Sequence, residues 1–257
     1  MGFFKKWRRQ RILKHSLIPF EEWQATVESL PLLQGLSEDE VENLRELATI
    51  FLHEKSLEPT NDLVLTEEMQ MTLAAQAVLP ILYLGPDWYD GWTSVVLYPG
   101  EFVTRQEWTD GDGVVHSRCE ILSGEAWDRG PVVLSWADVA ASGHGNGYNT
   151  VIHEMAHKLD LLNGRINGLP PLHEEMRVTS WAMALSTAYE DFRQRVSNGL
   201  YTRLDPYAAE APEEFFAVMS EHFFETPRLL NQTYPEVYAQ LSGFYRQDPA
   251  ARLASLR

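Results

Sequence analysis

Apolar positions along the chain recur mostly with the 3.6-residue period of a helix. Between residues 17 and 85 this period predicts several helices, one of which begins at Ser37, a good N-cap, and the cluster DWYDGW that follows indicates a turn. The last third of the chain again carries a helical pattern. The predicted helices cover residues 20–29, 37–51, 66–84, 174–197, 212–225 and 233–245.

The pattern changes between residues 93 and 136, where four short runs are rich in β-forming residues. The segment DGDG between two of them predicts a hairpin turn. We therefore predict an α+β fold, mainly helical, with a small mixed β-sheet. The run GPVVLSW, residues 130–136, is a candidate edge strand that could hold an extended peptide, although an ordinary core strand fits the same pattern.

The segment VIHEMAHKLD, residues 151–160, follows the sheet and places two histidines four positions apart. At about 100° per residue, one side of this helix is apolar and both histidines fall roughly opposite, together with Asp160. A structural histidine more often lies in or beside the apolar stripe, so this phase favours a cleft-lining helix. Asn149 is the predicted N-cap and Asn163-Gly164 the stop signal. The predicted apolar side comprises Val151, Ile152, Met155, Leu159 and Leu162.

The spacing of His153 and His157 suits a zinc ion. Side chains at positions i and i+4 project side by side, so each imidazole can offer one nitrogen to the same ion. Glu154 is turned about 100° away, which suits a general base acting on water better than a ligand. Asp160 either steadies an imidazole N–H or is a solvated residue near the helix end, and both interpretations stay open.

A catalytic zinc site also needs a third protein ligand and an open position. One common class places a glycine and then a histidine after the second histidine, but Asp160 and Asn163 stand at those positions and exclude it. The remaining option is a carboxylate from the predicted helix 212–225. Glu213, Glu214 and Glu221 compete for this role, and spacing alone does not separate a ligand from an acid that only favours the helix dipole.

The amino-acid composition limits the class of protein to which this chain can belong. The chain of 257 residues is 44% hydrophobic and 23% charged, as in ordinary globular proteins. Its one cysteine, Cys119, excludes an internal disulfide and a cysteine-based zinc cluster. No signal peptide is recognisable and no apolar stretch is long enough for a bilayer, so we expect a cytoplasmic protein without stable membrane insertion. We predict a single domain, 1–257, with a basic arm (1–15), a helical part (16–90), a sheet and catalytic core (91–246) and a flexible tail (247–257).

The net charge of −16 argues against direct nucleic-acid binding. The charge is uneven, because residues 1–15 contain six cations and no carboxylate, which leaves −22 for the remainder. With Phe3, Phe4 and Trp7 interleaved, this arm could contact an anionic membrane or an acidic partner. The simpler interpretation, which we favour, is an arm that folds back on its own acidic body.

The chain resembles the Mlc titration factor A family of bacterial zinc peptidases, which is related to the catalytic domain of anthrax lethal factor. The resemblance to the first covers nearly the whole chain, and the resemblance to the second covers only the metal-site elements. The matching segments are LSGEAWDRGPVVLSW, GYNTVIHEMAHKLDLLNG and DPYAAEAPEEFFAVMSEHFF.

This resemblance implies a zincin-like metallopeptidase of the gluzincin type with one zinc ion. It implies that His153 and His157 are ligands, that Glu154 is the general base and that Glu214 is the third ligand. It also implies that Tyr207 donates to the oxyanion of the tetrahedral intermediate, whereas the residue pattern alone would make Tyr207 a packed aromatic.

Two functions follow from the resemblance. One is aminopeptidase-type hydrolysis of small peptide substrates, and the other is binding of the transcriptional repressor Mlc, which relieves repression of the glucose phosphotransferase system. The alternative is a non-catalytic repressor-binding module with a residual zinc site. A purely structural zinc site fits poorly, because two histidines and one glutamate leave a coordination position open.

Overall fold

The computed structural model describes residues 2–100, 106–109, 115–118 and 130–255, and within them the chain is mainly helical. The predicted helices 20–29 and 212–225 are confirmed at both ends. The predicted start at Ser37 is confirmed by a capping box, in which Ser37 Oγ accepts from the N–H of Glu40 and the Glu40 carboxylate accepts from the N–H of Ser37. The helices are α1 (Phe3–Ser16), α2 (Phe20–Ser29), α3 (Glu38–Glu54), α4 (Glu67–Val78), α5 (Trp136–Ala141), α6 (Thr150–Asp160), α7 (Val178–Ser197), α8 (Pro212–Glu225), α9 (Pro227–Thr233), α10 (Pro235–Tyr245) and α11 (Pro249–Ala254).

Five short strands form two separate sheets among the described residues. In the first, β1 (Ser56–Pro59), β2 (Ser94–Tyr98) and β5 (Val132–Ser135) are parallel in the order β1-β2-β5. In the second, β3 (Gln106–Thr109) pairs with β4 (Val115–Arg118) in antiparallel fashion. The mainly helical α+β class is confirmed, but the parallel and antiparallel pairings do not share one sheet. The predicted DGDG turn, residues 110–113, lies outside the described residues.

Strand β1 is not predicted by the sequence pattern, which places only helices between residues 17 and 85. Its four residues contain a single aliphatic side chain and are mostly exposed, so no alternation marks a strand. The strand exists because its backbone pairs with β2 and with the residues beside it: the N–H of Ser56 donates to Thr93 O and the N–H of Thr60 donates to Leu97 O, each at 2.8 Å.

The core surrounds α8, which packs against α6, α9 and α10. Each residue from Phe215 to Glu225 is buried, including the predicted stripe of Phe215, Phe216, Met219 and Phe223. A helix covered on all sides is expected to be apolar all round. Helix α8 instead also buries Glu221, His222 and Glu225, and such buried polar groups need partners inside the protein.

The basic arm forms α1, and one side of it is fastened to acidic residues of the body. Arg9 is only 5% exposed; its Nε and Nη2 donate to Glu54 at 3.0 and 2.8 Å, and its Nη1 donates to Asp87 at 2.7 Å. Lys5 forms ion pairs with Asp87 and Asp90. The favoured interpretation, an arm folded back on the acidic body, is confirmed for this side of the helix.

The C-terminal segment differs from the expected flexible tail. Residues 249–254 form α11, whose N-cap Asp248 accepts from the N–H of Ala251, and Pro249 is buried. Arg252 Nη2 donates to Leu32 O at 3.1 Å and Arg228 Nη2 donates to Leu253 O at 2.8 Å. Asp followed by Pro is a helix start signal, and it explains why the segment is ordered. No helix in the described part of the chain is long and apolar enough to cross a membrane.

Candidate metal centre

Helix α6 presents its two histidines as the sequence predicts. Asn149 is the N-cap, and its Oδ1 accepts from the N–H of Ile152 at 2.9 Å. Val151, Ile152, Met155 and Leu159 are at most 1% exposed and hold the apolar side in the core. The exception is Leu162, which is 39% exposed because the α-helix ends before it, in a 3₁₀ turn over Leu161–Asn163.

The start of α8 brings one carboxylate to both imidazoles. Nε2 of His153 lies 3.1 Å from Nε2 of His157 and 3.1 Å from Oε2 of Glu214, and the third distance, from His157 Nε2 to Glu214 Oε2, is 3.4 Å. Among the described residues, these three side chains form the one group of His, Cys, Asp and Glu that could hold a metal ion. Glu213, which the spacing left as a candidate for the third ligand, is not part of this group.

The size of this triangle fits a small divalent cation. Three ligands about 2.0–2.1 Å from a tetrahedral zinc ion lie roughly 3.3 Å from one another, and the observed edges are 3.1–3.4 Å. Oε2 of Glu214 is buried yet accepts no well-oriented hydrogen bond from the described residues. A buried carboxylate oxygen without a donor is costly, and a cation between the three atoms removes this cost.

The charges around the triangle favour an ionised Glu214. Burial by itself raises the pKa of this carboxyl, but the adjacent imidazoles of His153 and His157 outweigh it and lower the pKa to about 2. For His153, burial lowers the pKa, while Glu214 and Glu221 more than compensate and raise it to about 10. An imidazole binds a metal ion through a deprotonated nitrogen, so metal binding at such a site is coupled to the release of protons.

Glu221 lies behind His153 and does not join the triangle. Its Oε1 is 2.8 Å from Nδ1 of His153, and its Oε2 accepts from the N–H of Asn149. Glu214 and Glu221 are two helical turns apart on one flank of α8, so they reach the two opposite ring nitrogens of the same histidine. Their shared flank is visible in the sequence, but the two glutamates do not compete for one ligand position as their spacing suggests. A carboxylate in this place fixes the ring orientation and makes the imidazole a better ligand.

A buried hydrogen-bond network continues from Glu221 to the loop before α6. Asn149 Nδ2 donates to Glu225 Oε1 at 2.8 Å, and the two Glu225 oxygens also accept from the N–H groups of Gly143 and Gly145 at 2.9 and 2.6 Å. Burial raises the pKa of Glu225, and these donors only partly oppose the shift. Glu225 thus holds the loop that precedes the histidine helix, a role that no local sequence pattern indicates.

Asp160 is buried, with 0% exposure, so the solvated interpretation of this residue is wrong. Its Oδ2 accepts from the N–H groups of Asn167 and Gly168 at 2.7 and 2.6 Å. Its Oδ1 and Nδ1 of His157 are both buried and without hydrogen-bond partners among the described residues.

Gly168, whose N–H binds Asp160, has a φ of +75°, and a side chain there would meet Pro212 O at 2.7 Å. Only glycine therefore lets this loop pass the start of α8.

Glu154 and Tyr207 flank the triangle. Glu154 directly follows His153 on α6 and is half-buried, and its charge contributes to the raised pKa of His153. Tyr207 lies in the 3₁₀ turn Pro206–Ala209 before α8, is 45% exposed, and has its ring centroid 6.1 Å from that of His153. The structure therefore brings all five predicted site residues to one place, and the exposure of Tyr207 indicates that the site opens to solvent on this side.

Comparisons with known proteins agree with this centre. Residues 4–246 match the sequence model of the family described as glucose-regulated metallo-peptidase M90. Mlc titration factor A of Pectobacterium atrosepticum is 42% identical over 240 residues, which span 91% of this chain and 89% of the relative. The proteins of the same name from Yersinia enterocolitica and Serratia proteamaculans are 42% and 41% identical and cover 90% and 92% of the chain, and 87% and 90% of their own lengths.

Proposed function

Because this chain belongs to the glucose-regulated metallo-peptidase M90 family, we propose that it is a zinc-dependent peptidase that hydrolyses small peptides in the manner of an aminopeptidase. The observation that carries the proposal is the triangle of His153 Nε2, His157 Nε2 and Glu214 Oε2, with edges of 3.1–3.4 Å. Two imidazoles and one glutamate are the gluzincin ligand set, and they leave a fourth position for water or substrate.

When bound, zinc would polarise the substrate carbonyl and make water a stronger nucleophile. Glu154 is then the general base: it takes the proton from the attacking water and later gives it to the leaving amine. Its place beside the triangle, and not within it, supports this role. Tyr207 stands at the exposed side, where its hydroxyl can donate to the oxygen that becomes negatively charged as the carbonyl is attacked.

Strand β5, which lies at one edge of the first sheet as far as the described residues extend, is the proposed support for the substrate backbone. It is the last strand in the order β1-β2-β5, and the chain runs from it through α5 into α6. Lys158 of α6 donates to Gly130 O at 3.0 Å, which ties the segment before β5 to the histidine helix. An extended peptide could add to this edge by main-chain hydrogen bonds and lie across the metal site.

The substitution Glu154→Gln tests the catalytic role. It keeps the side-chain volume and the three ligands, so zinc content and thermal stability should match the wild type while peptide hydrolysis falls by several orders of magnitude. Glu190→Gln on the exposed surface of α7 is the matched control and should keep full activity. An active Glu154→Gln protein with stoichiometric zinc would rule out this residue as the base.

The aminopeptidase character has a separate test. Short peptides with a free amino terminus should be hydrolysed, and their N-acetylated counterparts should be cleaved at least about tenfold more slowly, since one lost charged contact weakens transition-state binding by that order. Equal rates on the two substrates would leave a peptidase but remove the aminopeptidase assignment.

The second proposed function is binding of the transcriptional repressor Mlc, which would relieve repression of the glucose phosphotransferase system in the cytoplasm. The relatives' name, Mlc titration factor A, supports it. A stable protein partner covers about 800 Å² on each side, far more than a peptide cleft. Glu154→Gln should therefore bind purified Mlc as tightly as wild type in a pull-down. Wild type that binds Mlc but hydrolyses no peptide would instead favour a repressor-binding module with a residual zinc site.

A further inference from the structure

The side of α1 that faces away from the body is an exposed aromatic surface. Phe3, Phe4 and Trp7 are 89%, 77% and 49% exposed, and the rings of Phe4 and Trp7 are in contact, with centroids 5.8 Å apart. At about 100° per residue the three side chains lie within one sector of roughly 100°. Single exposed apolar residues are common, but a cluster of large aromatics on one face marks an interaction surface.

Cations border these aromatics. Lys6 and Arg8 project about 100° to either side of the centre of the aromatic sector, and Arg11 and Lys14 continue this sector along the helix. All four are exposed, and Arg11 lies 5.8 Å from the centre of the Trp7 ring. Helix α1 contains no carboxylate, in a chain whose net charge is −16. We call this set, Phe3, Phe4, Lys6, Trp7, Arg8, Arg11 and Lys14, the outer face of α1.

The outer face is available because the opposite face is engaged with the protein. Arg9 and Lys5 are paired with Glu54, Asp87 and Asp90, which fixes the helix against α3 and the turn before β2. Arg8 approaches Glu54 only at 3.4 Å, at the edge of this contact. The ion pairs therefore hold the helix in an orientation that leaves its aromatics in solvent, where burial of the rings would be favourable.

We propose that the outer face of α1 binds the surface of a membrane that contains anionic lipids, in a reversible, peripheral manner. Aromatic rings in the middle and cations on both sides are the arrangement of helices that lie in the lipid interface. The cations complement anionic headgroups, while the remainder of the chain, with a net charge of −22, is repelled and turns away. A protein partner fits less well, because a helix about 21 Å long offers far less than the roughly 800 Å² of a stable interface.

Vesicle co-sedimentation of the whole protein tests the proposal. Vesicles of phosphatidylcholine with about 30% phosphatidylglycerol should bind the wild type, and vesicles of phosphatidylcholine alone should bind it at least about tenfold more weakly. Binding should also weaken as the salt concentration rises, because the headgroup charges are screened.

Two pairs of variants separate the aromatic and the cationic contributions. Phe4→Ala/Trp7→Ala should weaken vesicle binding at least about tenfold, whereas Leu200→Ala/Tyr201→Ala, which removes exposed apolar side chains elsewhere, should not. Arg11→Gln/Lys14→Gln should weaken it by about the same factor, and Arg193→Gln/Arg195→Gln on α7, with the same change in net charge, should have little effect. The replaced side chains are exposed, so thermal unfolding should stay close to wild type in each variant.

The proposal is overturned if the wild type does not bind the anionic vesicles, or if Phe4→Ala/Trp7→Ala binds them as tightly as wild type. It is also overturned if the protein binds soluble polyglutamate as tightly as it binds the vesicles, since that result favours an acidic protein partner. Loss of vesicle binding in both α1 variants, with peptide hydrolysis in solution unchanged, supports it.

Discussion

Two regions place side chains in the environment that their type usually avoids. They are the metal centre between α6 and α8 and the outer face of α1. At the centre, Glu214, Glu221 and His157 are largely withdrawn from water, although charged and polar groups are most often exposed. On α1, Phe3 and Phe4 are almost fully exposed, although such rings are most often buried. One region buries charge and the other exposes apolar surface.

The two regions differ in what compensates the unfavourable placement. At the centre, hydrogen bonds inside the protein satisfy several of the buried groups, such as Glu221, and Oε2 of Glu214, which has no partner among the described residues, is one corner of the triangle proposed to hold a metal ion. On α1, ion pairs on the inner face hold the helix, and nothing in the described part of the protein covers the rings. The first region is the one proposed to hold an ion, and the second is the one proposed to contact a membrane.

The largest effect is expected from His157→Ala, which removes one corner of the triangle. The variant should lose most of its zinc and with it peptide hydrolysis, because two remaining ligands hold the ion poorly. His15→Ala on α1 is the matched control and should keep one zinc per chain. Metal analysis after dialysis distinguishes the two, and near-stoichiometric zinc in His157→Ala would contradict the ligand assignment.

Tyr207→Phe should have a smaller effect, confined to the chemical step. Loss of one oxyanion donor should lower kcat on the order of 10²-fold, with zinc content and KM little changed. Tyr201→Phe, in an exposed tyrosine of the preceding loop, should leave kcat as it is. If kcat of Tyr207→Phe equals that of wild type, Tyr207 is only a packed aromatic.

A smaller effect, on zinc affinity, is expected from the two carboxylates that lie behind the imidazoles. Glu221→Gln weakens the acceptor on Nδ1 of His153, and Asp160→Asn removes a buried charge that interacts with His157, so each should weaken zinc affinity about 10- to 100-fold. Competition with a chelator measures this change. Glu213→Gln on the same helix should keep wild-type affinity, and a loss in this control equal to that in Glu221→Gln would mean that the effect is not specific to the imidazole.

The last effect concerns the ion pairs that hold α1 and changes stability but not zinc binding. Arg9→Gln should lower the free energy of unfolding by about 2 kcal/mol, because it removes charged hydrogen bonds from a buried guanidinium. Arg11→Gln, the same change on the outer face, should cost less than about 0.5 kcal/mol. Burial raises the pKa of Glu54, but Arg9 outweighs it and lowers the pKa, so this contribution is present at neutral pH and is lost on acidification. Equal losses in the two variants, measured by chemical denaturation, would contradict the difference between the faces.

Much of the centre could be read from the sequence because it lies on two helices with clear phase. The apolar side of α6 leaves His153 and His157 on the opposite side of that helix, and the start signal at Pro212 places Glu214 in the first turn of α8, before the stretch that is buried all round. Spacing could not choose among Glu213, Glu214 and Glu221, since that choice depends on how α6 and α8 cross. Helical phase therefore left the third ligand open, and only the family resemblance pointed to Glu214.

Features that depend on tertiary pairing could not be predicted. Strand β1 has no periodic signal and exists through its bonds with β2. The roles of Glu221 and Glu225 arise because Asn149 and the loop that precedes α6 fold over α8. These contacts join residues more than 70 positions apart, so no local pattern predicts them. The C-terminal helix, by contrast, is indicated locally by the start signal Asp248-Pro249, so the expectation of a flexible tail did not follow from the sequence.

The central claim is that His153, His157 and Glu214 together hold one zinc ion. Anomalous diffraction from crystals of the zinc-loaded protein, recorded on both sides of the zinc absorption edge, tests it most directly. We predict a single strong peak about 2.0–2.1 Å from Nε2 of each histidine and about 2.0–2.2 Å from a carboxylate oxygen of Glu214. A peak coordinated by other residues, or no peak at this position in protein that contains one zinc per chain, would contradict the account.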